Sequence, residues 1–412
     1  MAIDKKELGH RVKVAREAAN MTQDAMASLI NLSRPTVSQM ESGERAISSL
    51  ELNRIAYLCG LDIRDFFTPV YKERKDQLSA LFRAAADAIP NDSIMKHLRR
   101  CVALAREQTE LENLLEIDRT LPSAVYAIPH PAKKWDAIKQ GERIADEERK
   151  RLGIGLAAIS NLSELLESEG IRLYCVNLPK DISGFTMFAS DLGPIIVVNK
   201  DQGEERCRYS YAHEYAHVLM DRHEIGTISR HSQSASLVEV RANVFAASFL
   251  MPAEGVKQFM SSLGKQTAAR SHKEIFDGQD VVPVEIRQGK ATNIHIVDVI
   301  HLAHHFNVSR QAALYRLFNL GFISENELRQ LQEQEISIGS IITKSLRLPK
   351  NIQTTQGDEN NRLIALALKA LSSKLISEGY FKQTVRLAQR NEDEIDHLLI
   401  HARDISTEIG KN

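Results

Sequence analysis

The stretch that most directly predicts the fold is YAHEYAHVL, residues 211–219, which contains the pattern H-E-x-x-H and neither Gly nor Pro. Residues four apart lie on one face of an α-helix, so His213 and His217 can bind the same ion. Imidazole nitrogen suits Zn²⁺, and two histidines with one carboxylate leave the fourth tetrahedral position to water. Glu214 lies between the two histidines, where it can act as the general base that deprotonates this water.

A third ligand is needed to distinguish a metal site from a surface helix with two incidental histidines. A shuffled chain of this composition would contain the pattern with a probability of about 0.04, so the motif requires context. Glu239 provides it, at the start of a second predicted helix that Pro252 ends. Asn243, one turn later, can orient a ligand histidine. The alternative is that Glu239 is only a favourable charge in a first helical turn.

Two segments of the chain resemble those of a known family. Residues 206–217, RCRYSYAHEYAH, are similar to the R-x-R-F-T-x-A-H-E-L-G-H segment of ImmA/IrrE-type metallopeptidases. Residues 239–252 resemble the E-x-x-A-N-x-F-A-A-x-L-L-M-P segment of the same family. The chain departs from the family pattern at three positions, with Tyr215 for Leu, Ala216 for Gly, and Asp221 where another His is common.

The resemblance extends over about residues 152–324 and implies a zincin-like fold. It supports the ligand set of His213, His217 and Glu239 for one Zn²⁺, with Glu214 as the catalytic base. It further implies a peptidase whose substrate is itself a repressor, cleaved so that genes are switched on. An edge strand beside such a metal site often binds a peptide by strand addition, and we expect the same arrangement here.

Length and composition indicate a cytoplasmic protein of about two or three domains. The 412 residues carry a net charge of −1, which does not indicate a polyanion partner or a membrane surface. The four cysteines are widely spaced and form no C-x-x-C pair, as in reduced intracellular proteins. The first residues are charged and no run of roughly 18 apolar residues occurs, so we expect neither a secretion signal nor a membrane span.

Residues 1–70 are predicted to form five short helices. Thr22 and Ser33 are suitable N-caps for the second and third, and Pro35 is tolerated in the first turn of the third. Two short helices joined by a tight turn are typical of a helix-turn-helix. Residues 22–45 closely resemble XRE-type repressor domains, which implies a lambda-repressor-like DNA-binding fold.

The predicted recognition helix, residues 34–41, would enter the major groove of operator DNA. The candidate DNA contacts on it are Arg34, Thr36, Ser38 and Gln39. Gln23 would contact a phosphate or buttress the recognition helix. Residues 1–70 hold nine basic and nine acidic residues and so lack the basic excess common in DNA binders. The alternative is a helix-turn-helix fold that serves only protein contacts or dimerisation.

Helix-breaking residues and the periodicity of apolar residues divide the chain into four regions. The predicted regions are the DNA-binding domain 1–70, a helical linker or dimerisation region 71–150, the peptidase-like domain 151–345 and a C-terminal helical region 346–412. Within the peptidase-like domain we predict a helix over about 152–169 and then three strands. These strands are residues 171–177, 185–189 and 195–199. Residues 296–306 and 309–320 are predicted to form a second helix-turn-helix-like pair.

Together these features predict a mostly α protein with a small α+β zincin-like domain and an N-terminal five-helix DNA-binding domain. The resemblances imply a transcriptional regulator with zinc-dependent endopeptidase activity, acting in a phage, mobile-element or stress-response switch. Its partners would be operator DNA, a repressor or toxin protein, and a second copy of the chain. The alternative is a non-proteolytic regulator or antitoxin whose zinc domain senses a ligand or binds a partner.

Overall fold

The structure is a computed structural model, and it is mostly α-helical with one small sheet. It describes residues 4–18, 21–59, 63–67, 92–117, 125–178, 180–189, 192–221, 226–230, 236–265, 293–348, 360–388 and 390–409. Residues 68–91, where the predicted linker begins, lie outside the described residues. Among the described helices, none is both long and apolar enough to cross a bilayer.

The N-terminal helices enclose one small core. They are α1 (Lys5–Ala18), α2 (Gln23–Ile30), α3 (Arg34–Ser42), α4 (Ser49–Leu58) and a 3₁₀ helix (Ile63–Phe67). The fifth predicted helix is thus a single 3₁₀ segment. The hydroxyls of Thr22 and Ser33 accept backbone N–H groups of α2 and α3, as predicted for N-caps. Val37 and Met40 are buried in this core and orient the opposite face of α3 outward.

A four-stranded mixed sheet supports the candidate site. Its strands are β1 (Arg172–Val176), β2 (Ile182–Ala189), β3 (Gly193–Asn199) and β4 (Gly226–Arg230). The order is β1-β3-β2-β4, with β1 parallel to β3 and β2 antiparallel to both β3 and β4. The sequence predicts the first three strands. It does not predict β4, in which Ile228 is the only large apolar residue, so no apolar alternation marks it.

The central helix, α8 (Glu204–Met220), packs across one face of the sheet, and α9 (Leu237–Leu250) packs beside it. A further helix, α6 (Lys134–Arg151), crosses α9 so closely that a Cβ at Gly141 would lie 2.7 Å from the Arg241 carbonyl oxygen. Although α6 precedes the predicted boundary at residue 150, Ile144 and Ala145 belong to the same core as α8 and α9. The packing therefore joins α6 to the peptidase-like domain.

The predicted helix over 152–169 is wrong, because the helical conformation ends at Arg151 and resumes only in α7 (Leu162–Ser168). Gly153 and Gly155 between them have φ values of +67° and +58°, which interrupt a right-handed helix. The Arg149 guanidinium donates hydrogen bonds to the carbonyls of Gly155 and Ala157. These bonds satisfy backbone groups that a continuous helix would have paired.

The other face of the sheet is covered by helices that are distant in sequence. They are α5 (Asp92–Leu114), α15 (Asn361–Ser372), α16 (Glu378–Leu387) and α17 (Glu392–Ile409). Tyr174, Phe185 and Val197 project from three strands into the core shared with these helices. A buried ion pair joins α5 to β1, with Arg172 Nη2 3.2 Å from Glu112 Oε2. The regions 92–117 and 360–402 therefore complete the sheet's second layer, a role that their sequence does not predict.

The remaining helices follow α9 along the chain. They are α10 (Ala253–Ser262), α11 (Ile296–Phe306), α12 (Arg310–Asn319), α13 (Glu325–Gln334), a π-helical turn (Glu335–Gly339) and α14 (Ser340–Ser345). The α11–α12 pair corresponds to the predicted helix-turn-helix-like pair. Ser309 caps α12, and Gly321 follows it with φ +75°. Buried residues of both helices belong to the core around α8, so the pair closes this domain.

Candidate metal centre

Three side chains from two helices converge in a buried cluster. His213 and His217 lie one turn apart on α8, and Glu239 lies in the first turn of α9. The two Nε2 atoms are 3.3 Å apart, and the Glu239 carboxylate oxygens lie 3.1 Å from Nε2 of His213 and 3.5 Å from Nε2 of His217. The three sequence-predicted ligands are therefore brought together, with their ligand atoms within 4.8 Å of one another.

The position of Glu239 is fixed by the start of its helix. Ser236 is the N-cap of α9, and its hydroxyl accepts the backbone N–H of Glu239 at 3.2 Å. The alternative interpretation of Glu239 as a first-turn charge is compatible with this location, because the helix dipole favours a carboxylate there. Its carboxylate nevertheless points at both histidines, and the side chain is largely buried. The same residue thus serves the helix and the cluster.

Each histidine is oriented by a partner on its other ring nitrogen. His213 Nδ1 donates to Asn243 Oδ1 at 3.0 Å, as the sequence analysis predicts for Asn243. His217 Nδ1 donates to Asp221 Oδ2 at 2.9 Å, and Arg241 donates to the other oxygen of Asp221. Because each Nδ1 donates its proton to an oxygen, Nε2 is the ring nitrogen that faces the cluster and can bind an ion. Asp221, a departure from the family pattern, is therefore part of the site.

The electrostatics of the cluster favour a cation between these groups. Burial opposes the charged form of Glu239, but hydrogen bonds to His213 and His217 outweigh it and hold its pKa well below the usual range. Burial also lowers the pKa of His217, yet hydrogen bonds to Asp221 and Glu239 raise it to about 10. The cluster of these residues thus stabilises positive charge, supplied by a proton or by a metal ion.

Glu214 lies beside the cluster, with one carboxylate oxygen held by a hydrogen bond and the other buried without one from the described residues. Thr186 on β2 donates its hydroxyl to Oε2 at 2.8 Å. Oε1 is buried and accepts no hydrogen bond from a described residue. At Gly184, on the same strand, an added Cβ would lie 2.9 Å from Oε1. Burial raises the pKa of Glu214, although the nearby His217 and His213 act in the opposite direction.

Two hydroxyl groups of this site, Thr186 and Ser229, are not predictable from the sequence. Ser229 on β4 is buried, and its Oγ lies 3.1 Å from Nε2 of His213. Single hydroxyl residues in strands are common, and their contacts depend on sheet register, which the sequence does not show. The small residue Gly184, two positions before Thr186, is the one local signal that a close approach occurs on β2.

The departures inside the H-E-x-x-H motif are accommodated by packing. Tyr215 is fully buried, and its hydroxyl donates to Glu148 on α6. Its ring lies edge-on to Phe245 with centroids 6.0 Å apart and also contacts Phe249. Ala216 is buried in the same core. Neither side chain points toward the three ligand atoms, so both substitutions leave the cluster intact.

The predicted DNA-contacting residues lie on the outer side of the N-terminal domain. Arg34, Ser38 and Gln39 are exposed on α3, whereas Thr36 is half-buried with its Oγ1 2.8 Å from the Ser33 hydroxyl. Gln23 on α2 donates its side-chain amide to Glu41 Oε2 at 2.9 Å. Of the two roles considered for Gln23, this bond supports the buttressing one. The contacts with bases and phosphates stay predictions.

A buried ion pair fixes α3 against the rest of this domain. Arg16 Nη2 on α1 donates to Glu41 Oε2 at 3.0 Å, and both side chains are buried. The hydrogen bond of Arg16 to Glu41, outweighing burial, raises the pKa of the guanidinium. Close helix packing adds to this restraint, because a Cβ at Gly9 would lie 2.3 Å from the Met40 carbonyl oxygen. The exposed face of α3 is therefore presented by a rigid support.

Comparison with known families identifies two segments of the chain. A helix-turn-helix domain model matches residues 7–65, and an IrrE N-terminal-like domain model matches residues 166–276. The second match contains His213, Glu214, His217 and Glu239. Among the curated proteins none matches the chain. The predicted resemblances are confirmed: this chain joins an N-terminal helix-turn-helix domain to a peptidase-family domain of ImmA/IrrE type.

Proposed function

We propose that this DNA-binding regulator carries a zinc-dependent endopeptidase that cleaves a repressor protein. The observation that carries the proposal is the buried convergence of His213, His217 and Glu239 beside the carboxylate of Glu214. The helix-turn-helix match supports DNA binding by the N-terminal domain. The repressor substrate is taken from the ImmA/IrrE resemblance. The DNA-binding domain would deliver the peptidase to its operator or would itself be cut.

The residues present fit a zinc ion. Two imidazole nitrogens and one carboxylate are the donor set of an open zinc site. The orienting bonds from Asn243 and Asp221 complete the arrangement expected around such ligands. Oε1 of Glu214 accepts no hydrogen bond from a described residue, so it remains an available acceptor for a water molecule bound at the cluster. Zinc held by these residues would supply Lewis acidity toward a peptide carbonyl and acidity to the bound water.

The chain's own contribution is to hold and move the proton. Thr186 fixes Oε2 of Glu214, so Oε1 is the oxygen that would accept a proton from the attacking water. The same oxygen would then donate this proton to the leaving amine. Burial raises the pKa of Glu214, which brings this carboxylate closer to the neutral range in which a general base is most effective.

The sheet offers a track for the peptide. Strand β4 is at the edge of the sheet next to β2, and its residue Ser229 contacts His213. An extended substrate that pairs with this edge would pass close to the cluster. We propose this edge as the substrate-binding strand. Pairing through backbone groups gives affinity, while pockets for alternate side chains give specificity.

The variant Glu214→Gln tests the proposal. It keeps the size of the side chain and removes its basicity, so hydrolysis should fall by about 10²–10⁴-fold, while zinc content and DNA binding persist. A reporter on the target promoter is measured with wild-type and variant proteins at equal abundance, alongside an immunoblot of candidate repressors. Glu254→Gln, an exposed glutamate on α10, is the matched control.

The two outcomes separate a peptidase from a non-proteolytic regulator. Loss of both the reporter response and the repressor fragment in Glu214→Gln, with both retained in Glu254→Gln, would support proteolysis. A wild-type response in Glu214→Gln, with no repressor fragment in any strain, would exclude it. The chain would then act as a regulator or antitoxin whose metal domain senses a ligand or binds a partner.

A further inference from the structure

A cavity of about 840 Å³ lies between the first turn of α8, the outer side of α9, and α12. Its walls include the apolar or aromatic side chains of Tyr209, Val240, Val244, Ala247, Ala312 and Tyr315. This volume falls within the range of small-molecule sites, roughly 300–1,000 Å³. His213, Glu214, His217 and Glu239 do not line it, so the cavity is separate from the candidate metal centre.

The wall contains a buried cation whose hydrogen-bonding capacity is largely unused. Arg316 on α12 is only 5% exposed and lines the cavity. Its Nε donates to the Met251 carbonyl at 2.8 Å, and its two Nη groups make no hydrogen bond to a described residue. Glu142 and Asp146 act on Arg316 only through longer-range electrostatics, and burial lowers the pKa of the guanidinium to about 10. Such a group is stabilised by an anion that accepts its N–H donors.

A second polar residue of the wall, Asn319, has an acceptor without a hydrogen-bond donor among the described residues. Asn319 lies three residues after Arg316 on α12, so the two side chains share a face of the helix. Asn319 Oδ1 is buried and accepts no hydrogen bond from a described residue. It requires an N–H or O–H donor. Glu204, Glu205 and Arg206 also line the cavity and are exposed, and these two carboxylates with one guanidinium disfavour a ligand with additional negative charge.

We propose that this cavity binds an N-acylated amino acid: a single carboxylate on Arg316, an amide group paired with the carboxamide of Asn319, and an apolar side chain against the aliphatic and aromatic walls. Planar carboxylates match the fork of a guanidinium, and the resulting charge-assisted hydrogen bonds are strong. The same chemistry is present in a free N-acyl amino acid and in the carboxyl terminus of a peptide. Both are therefore used as probes.

The position of the cavity relative to His213 suggests what the ligand controls. Asn243 lines the cavity, and its Oδ1 is the acceptor that orients His213 through Nδ1. Tyr209, also in the wall, donates its hydroxyl to the Asn243 carbonyl at 3.0 Å. An occupant would thus contact the residues behind His213, on the side away from Nε2. Occupation of the cavity and metal affinity should be linked, each changing the other by the same factor.

Binding is tested on the full-length protein by isothermal titration calorimetry. The probes are the N-acetyl derivatives of phenylalanine, leucine and methionine, each as the free acid and as the primary amide, with acetylated tripeptides that end in the same residues. The acids should bind at least tenfold more tightly than the amides, because only they can accept from Arg316 as an anion. Tighter binding of the tripeptides than of the N-acetyl amino acids would identify a peptide terminus as the ligand. Equal binding of the two would identify a free N-acyl amino acid as sufficient.

Two variants and one control locate the site. Arg316→Met should weaken binding of the acids by about tenfold or more, as expected for loss of a hydrogen bond to a charged group. Ala312→Phe fills part of the cavity, leaves Arg316 in place and should also weaken binding. Arg329→Met removes the same charge from an exposed position on α13 and should leave binding unchanged. Far-ultraviolet circular dichroism confirms that each protein is folded. If Arg316→Met does not fold, Ala312→Phe alone tests whether the acids bind in this cavity.

The proposal is overturned if no acid in the panel binds at millimolar concentration, if acids and amides bind equally, or if a folded cavity variant binds like the wild type. Because binding is measured by heat, on zinc-free as well as zinc-loaded protein, these outcomes do not depend on peptidase activity. A protein that binds the acids but cleaves nothing would contradict the proposed peptidase alone. The ratio of affinities with and without zinc measures the coupling through Asn243.

Discussion

The candidate metal centre and the recognition helix place their functional side chains in opposite environments. His217 and Glu214 are fully buried; His217 donates a hydrogen bond to Asp221, and Glu214 accepts one from Thr186. On α3, by contrast, the Arg34 side chain is 64% exposed, and its nearest carboxylate, Asp24, is 3.7 Å away and also exposed. In the metal centre, other residues of the chain fix the side-chain positions. On α3, they fix the position of the backbone but not of the exposed side chains.

Because the two regions differ in this way, substitutions in them are expected to have different effects. In the metal centre a supporting residue and a ligand act together, because the position of one fixes the orientation of the other. In the N-terminal domain the support is Arg16, Glu41 and Gln23, while Arg34, Ser38 and Gln39 are exposed on the outer face of α3. Substitutions in the metal centre should therefore alter metal binding by changing the geometry of the ligands. Substitutions on the exposed face of α3 should alter recognition without altering the fold.

The largest expected effect is loss of the metal in His217→Ala. The wild-type chain should carry about one zinc ion, since the site supplies the three protein ligands of an open zinc centre. Removal of one buried ligand should leave the variant largely empty after dialysis, as measured by plasma mass spectrometry. His305→Ala is the matched control, because His305 stacks on Phe259 with centroids 4.4 Å apart and lies outside the cluster. Full zinc occupancy in His217→Ala would place the metal elsewhere.

The double variant Arg34→Ala, Gln39→Ala examines the other region. Each good bidentate contact to a base contributes about 1–3 kcal/mol of discrimination, so the pair should lose most of its preference for the operator. An inverted repeat upstream of the chain's own gene is the first sequence to examine, since two-fold proteins bind two-fold operators. Anisotropy titrations with operator and scrambled DNA give the ratio of affinities.

The control for this pair is Arg54→Ala, which removes an exposed charge from α4 of the same domain. It should keep the specificity ratio, and the thermal unfolding midpoint should be unchanged in all three proteins. Normal discrimination by the double variant would mean that the recognition face is assigned incorrectly. A fall in the unfolding midpoint of the double variant would contradict the contrast between the two regions.

The candidate ligands are predictable from the sequence because their spacing is local. His213 and His217 are one helical turn apart, and Asn243 follows Glu239 by one turn on the next helix, so two short patterns contain all four positions. The contacts of Thr186 and Ser229 depend instead on the register of β2 and β4 against α8. No short pattern encodes that register, and β4 has no apolar alternation. These contributions require the tertiary structure.

The fold, too, is only partly predictable from the sequence. Residues 195–198 form a continuous apolar run, and all four are buried, as expected for a strand covered on both faces. The run therefore predicts a second layer over the sheet, but it does not predict which helices provide it. Contacts such as Arg172 with Glu112, 60 residues apart, are set by folding of the whole domain. The error over residues 152–161 has a local origin, because Gly153 and Gly155 were available as signals of a break.

The smallest of these effects is expected for Asp221→Asn, which changes a support and keeps every ligand. Asp221 accepts His217 Nδ1 on one oxygen and Arg241 on the other, so both of its oxygens act as acceptors. An asparagine must direct its NH₂ group at one of these donors, which loosens the orientation of His217. Loss of such a partner typically reduces metal affinity by about 10–100-fold.

Competition with a chromogenic zinc chelator measures this decrease. The control is Asp201→Asn, which changes an exposed residue before α8. DNA binding should be unchanged in both variants. Zinc affinity within about twofold of the wild type would show that Asp221 supports only the fold around Arg241, and that the ligands of this centre need less outside support than the contrast with α3 implies.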